Sequence, residues 1–172
     1  LIPNASRASK LWPERNWVLI YLEAEGKSWP GWGRAKGAGA PREAVAIVDS
    51  FRARFADTQR RPPSLILAAH SGGGSLLFNF LNGSEAIPAD VERIAFLDAN
   101  YNFSDERQHG ARLAAWLRAS PAHALSVIAY DDRHITLDGK PVLKSPEGGT
   151  WGATQRMIAS LGRDFPLEES AV

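Results

Sequence analysis

Ser71 stands in the segment Ala69-His70-Ser71-Gly72-Gly73-Gly74, between the apolar run Leu65–Ala69 and a second, longer one from Leu76 to Leu81. The first run reads as a buried strand, and the second as a buried helix. A serine at that junction points its hydroxyl off the sheet edge, on a strained backbone that only small neighbours accommodate. The first N–H groups of the new helix lie beside it, unpaired and at the positive end of the helix dipole. Such donors stabilise an oxyanion by roughly 2.7–4 kcal/mol each. The chemistry these residues suit is attack of the Ser71 hydroxyl on a carbonyl carbon.

The pattern Ala69-His70-Ser71-Gly72-Gly73 resembles the nucleophile elbow of the α/β-hydrolase superfamily, G-x-S-x-G, with alanine for the first glycine. The resemblance covers roughly residues 17–160 by element order, and only the turn itself is specific. It implies Ser71 as nucleophile, the Gly72 N–H as an oxyanion donor, and a small-molecule acyl substrate, an ester above all. Such chemistry requires neither cofactor nor metal. Two other readings of the same turn stand beside it: a backbone cradle for phosphate, and a tight structural turn. A Walker loop is excluded because no Lys-Ser or Lys-Thr follows the glycines. The dinucleotide fingerprint lacks its third glycine, since Ser75-Leu76-Leu77 follows Gly74.

A serine nucleophile needs a base, and the base needs an orienting acid. In the resembling family the order is Ser, then Asp or Glu, then His. The acid then falls on Asp131 or Asp132, which end the second strand after the serine strand, in preference to Asp98, which ends the intervening one. The chain has four histidines. His70 adjoins the serine, where the family often carries a histidine that is not the base. His109 lies four residues before Leu113 on a helix, a position for a packed or exposed ring, and His123 sits in a helix-to-strand connection. His134 follows a strand end on the face where chemistry belongs and is the candidate base within the chain. It lies only two or three residues after Asp132 and Asp131, closer than the family spaces acid and base.

A second expectation follows from the element order. Only one helix separates Trp17–Leu22 from the serine strand, a spacing that resembles the fourth strand of the full fold. The third strand with its oxyanion loop would then lie upstream of Leu1, and the final strand with its histidine beyond the helix at 150–161. If Trp17–Leu22 instead leads the sheet, Glu25 and Gly26 border the site. Trp29 and Trp32 then either form an apolar acyl pocket or simply pack on their loop.

The elements that must position these residues alternate along the chain. Buried strands are expected at Trp17–Leu22, Leu65–Ala69, Ile94–Leu97 and Leu125–Tyr130. Residues 23–40 read as a Gly-rich loop, and Pro41 opens a helix with Ala44, Ile47, Val48, Phe51 and Phe55 on one face. Ser104 is expected to cap a helix carrying Leu113, Trp116 and Leu117 inward, stopped by Pro121. Asp138-Gly139 marks a hairpin. Thr150 is expected to cap a last helix with Met157, Ile158 and Leu161 inward. The fold class is therefore α/β: one domain with a mainly parallel sheet of four or five strands and helices on both faces.

Composition narrows the partners. With 20 basic and 19 acidic residues in 172, the net charge of +1 argues against nucleic acid or an anionic membrane surface. Cysteine is absent, which excludes disulfides and thiolate metal sites. Asp131, Asp132, His134 and Asp138 have ligand chemistry for a hard or borderline cation, although an acidic strand-end turn followed by a hairpin gives the same residues without any ion and is the better account of them. No apolar run reaches the ~18–20 residues of a membrane span. No signal peptide is visible, and the start at Leu1 leaves an upstream targeting segment open. The competing reading is a non-catalytic α/β binding or interaction module that keeps the turn without a base.

Overall fold

Three apolar segments pair as parallel strands: β1 (Leu65–His70), β2 (Val91–Leu97) and β3 (Ala124–Ile128), in the order β1-β2-β3. The computed structural model describes residues 18–26, 28–56, 63–143, 145 and 147–166. The helices are α1 (Trp29–Lys36), α2 (Ala40–Ala56), α3 (Gly74–Gly83), α4 (His109–Ala119) and α5 (Gly149–Leu161). A small hairpin, β4 (Thr136–Leu137) and β5 (Lys140–Pro141), stands apart from the main sheet. Its turn residues Asp138 and Gly139 have φ of 51° and 73°, the pair of left-handed residues that the Asp-Gly signal predicts.

The register explains where the core sits. Leu67 aligns with Ile94 and Leu125, and Ala69 with Phe96 and Val127, so these rows share one face. Ile94 and Phe96 are fully buried there, against Phe78, Phe80 and Leu81 of α3, Leu113 and Trp116 of α4, and Met157 of α5. Phe78 stacks on Phe96 with centroids 4.9 Å apart. The opposite face carries Ile66, Leu97 and Ile128, which are 41%, 37% and 64% exposed. Among the described residues the core helices thus lie on one side of the sheet, where helices on both faces were expected. The strand order is the cause. Successive crossovers of one hand that step in one direction across a sheet deliver their helices to the same side, and a second layer needs a reversal of direction.

Two further expectations change. Trp17 lies outside the described residues, and Val18–Leu22 joins no strand: Val18, Leu19 and Tyr21 are 55%, 50% and 74% exposed. A continuous apolar run fixes neither a partner nor a register, and this run has found no ladder among the described residues. The segment read as a loop over 23–40 contains α1. Ser28 caps that helix, its hydroxyl accepting from the Gly31 N–H at 3.1 Å, and Pro30 sits in the first turn. The cap and packing against α3 offset the weak propensity of Gly31 and Gly33.

The helix after Ser104 starts later than its sequence signal, at His109, because Gln108 adopts a left-handed φ of 60°. His109 is fully buried against Phe78. Its Nδ1 accepts from the Ser104 N–H at 3.1 Å, so Nε2 is left to donate to Asn82 Oδ1 at 2.9 Å. Burial, followed by the charges of Arg107 and Arg112, pushes its pKa down from 6.5 to about 4. Between those values the unfolded chain takes up a proton that the folded chain refuses. The stabilisation is therefore complete above about pH 6.5 and is lost as the pH falls toward 4, by about 2–3 kcal/mol. Urea midpoints at pH 7 and pH 4.5 should show this drop, and His109→Gln should lessen it.

Candidate active site

β1 delivers Ser71 to the carboxyl edge of the sheet. His70 is still extended, with φ −116° and ψ 137°, and Ser71 turns abruptly to φ +47°. A 3-10 turn over Ser71–Gly73 then leads into α3. A left-handed residue other than glycine costs about 1–2 kcal/mol, so the turn holds Ser71 in a strained position with its side chain exposed. The Gly72 N–H opens this turn, among the first amides of the helical segment, which have no carbonyl one turn earlier.

The close approach that makes this turn possible depends on Gly74. A Cβ there would lie 1.8 Å from the Ala99 carbonyl oxygen, in the connection that follows β2. Gly72 is looser, since its Cβ would meet Pro30 Cδ at 3.3 Å, and Gly73 has ordinary room. Pro30 therefore seats the start of α1 against the serine turn, next to Trp29. Trp29 and Trp32 form an edge-to-face pair, 5.4 Å between centroids and 75° between planes. Gly26 lies in an exposed turn with φ +83° and open space around its Cα.

Asp98 reaches the same edge. His70 aligns with Leu97, so Ser71 and Asp98 leave neighbouring strands side by side, both with left-handed φ. The Asp98 carboxylate accepts from the Thr150 hydroxyl at 2.6 Å. Asp132 is buried and serves the start of α5: its oxygens accept from the Thr150 N–H at 2.8 Å and the Trp151 N–H at 3.2 Å. The helix expected to be capped by Thr150 is thus capped by Asp132, with Thr150 in its first turn and bridging the two carboxylates. The sequence marked Thr150 as a cap but gave no signal of its bond to Asp98, because that contact spans 52 residues. Gly149 completes this corner: a Cβ there would lie 2.1 Å from Asp132 Oδ2.

Asp131 turns outward. Arg133 donates to both its oxygens, at 2.8 and 2.6 Å, and these hydrogen bonds hold the carboxyl down at about 2. The same guanidinium lies over the Trp151 ring at 4.9 Å. His134 is exposed, and among the described residues no hydrogen bond joins it, or any other histidine, to Ser71. His123, read as a loop residue, is stacked on Trp116 at 4.8 Å and bonded to the Trp116 carbonyl at 2.6 Å. Among the described residues no three His, Asp or Glu side chains group as a metal site, so the acidic turn at 131–138 is divided between Arg133 and the cap of α5. No helix among the described residues is long and apolar enough to cross a membrane.

The arrangement therefore unites Ser71, the helix-opening N–H groups and Asp98 at one sheet edge. It leaves Asp131 and His134 on the exposed segment after β3. Compared with protein-family models, curated proteins and solved structures, the chain matches none.

Proposed function

We propose that the chain is a serine hydrolase acting on carboxylic esters or related acyl substrates, built on an α/β-hydrolase-like core. The observation that carries this reading is the left-handed Ser71 at the junction of β1 and α3. A strained, exposed serine that opens a helix stands next to the first N–H of the turn, here that of Gly72, which can take a forming oxyanion. In the reaction Ser71 Oγ attacks the carbonyl carbon and loses its proton to a base. The Gly72 N–H holds the oxyanion, and collapse releases the alcohol. Water then attacks the acyl-serine and regenerates the hydroxyl. His134 is the candidate base, with Asp98 or Asp131 as its orienting acid.

One observation favours a second reading, a non-catalytic binding domain. Asp98 and Asp132 are engaged by Thr150, Asp131 by Arg133, and no described histidine bonds to Ser71. Turnover of short-chain 4-nitrophenyl esters by the folded chain separates the two. A rate proportional to protein concentration supports the hydrolase. A rate equal to that of buffer, from a cooperatively folding sample, supports the binding domain.

A further inference from the structure

A cavity of about 340 Å³ opens beside the serine turn, between α1, the first turns of α3 and the loop after β2. Its lining includes Arg34 and Arg107, the carboxamides of Asn79 and Asn102, Ser75, and Pro30, and it contains no carboxylate. Among the described residues neither guanidinium has an acidic partner, whereas Arg52, Arg118 and Arg133 are each paired with an aspartate. The two amides are held in place by Ser75. Asn79 Nδ2 donates to its carbonyl at 2.8 Å and Asn102 Nδ2 to its hydroxyl at 3.1 Å. Two unpaired guanidinium forks above a fixed polar wall are suited to a carboxylate or a phosphate, which they can grip through paired N–H donors.

The cavity also has a fixed relation to Ser71. Pro30 lines it and packs on Gly72. Ser75 lies one turn along the helix from Ser71, roughly 6 Å at 1.5 Å per residue. We propose that this cavity binds an anionic group, carboxylate or phosphate, carried by the acyl substrate about four bonds beyond the carbonyl that Ser71 attacks. The identity of the anion's carrier rests on the hydrolase reading; the anion site does not.

The test is calorimetric titration of the 172-residue Ser71→Ala chain with glutarate, with inorganic phosphate and with the neutral analogue glutaramide. Binding of glutarate or phosphate is expected, with no binding of glutaramide. Arg34→Gln and Arg107→Gln should each weaken it about tenfold or more, the loss of one charge-assisted contact. Tighter glutarate binding identifies a carboxylate-bearing substrate, and tighter phosphate binding a phosphate-bearing one. Absence of anion binding, equal binding of glutaramide, or indifference to both arginine substitutions overturns the proposal. Fluorophosphonate labelling of the unsubstituted chain is run in parallel. A labelled serine without anion binding removes only the anion site, and anion binding without labelling removes only the hydrolase reading.

Discussion

Replacing Ser71 with alanine is expected to lower kcat/KM for a short-chain ester by roughly 10⁴–10⁶-fold, the loss seen when a serine nucleophile is deleted from a working site. The magnitude follows from the chemistry. Without Oγ no acyl-enzyme forms, and only the helix-opening N–H groups at Gly72 remain to polarise a bound carbonyl. The substitution leaves the fold in place, because the side chain is exposed and makes no hydrogen bond within the described structure. It also leaves the backbone strained at φ +47°, where alanine is no more comfortable than serine. Ser71→Gly relieves that strain, so it should be as inactive as Ser71→Ala yet about 1 kcal/mol more stable. Urea melts of the two variants, beside ester turnover, check both parts. Equal stability would mean that the left-handed backbone costs nothing, and the argument from strain would fail.

The largest effect on the fold belongs to Gly74→Ala, which should destabilise the chain by about 3 kcal/mol or more, or lower Tm by ~10 °C. The new methyl would enter the space of the Ala99 carbonyl oxygen, at 1.8 Å, and approach its carbon at 2.8 Å. Neither atom belongs to a flexible side chain. The connection is held from the other side as well, because Asp98 is bound to Thr150, and Asn100 to Thr154 at 2.9 Å. Relief would require α3 to lift off the end of β2, carrying Phe78 away from Phe96. Gly73→Ala is the matched control. Its Cβ would meet only Ala69 Cβ at 3.6 Å, and its φ of −59° suits alanine, so it should be neutral or mildly stabilising. Thermal melts of the pair separate the need for close approach from a general demand for glycine.

The serine turn was legible because its signals are local: an apolar run, a serine and three small residues in unbroken order. The same holds for the Asp138-Gly139 hairpin, where a dipeptide specifies both left-handed residues. Which glycine is indispensable was not legible, since the answer depends on Ala99, 25 residues away in the chain. Asp132 was legible as an acidic strand end, but its use as the cap of α5 depends on where Gly149 and Thr150 arrive in space. α1 escaped notice because Gly31 and Gly33 read as loop, while its Ser28 cap and its packing against α3 outweigh them. The single-sided sheet was hidden for a related reason. Periodicity names strands without ordering them, and the order β1-β2-β3 decides which face the helices cover.

The central claim, that Ser71 is an activated nucleophile, is tested most directly by treating the folded chain with a small fluorophosphonate and mapping the adduct by intact mass and peptide analysis. One adduct per chain is expected, located on Ser71 and absent from Ser71→Ala. A cooperatively folded sample that takes up no label, or takes it up at another residue, contradicts it.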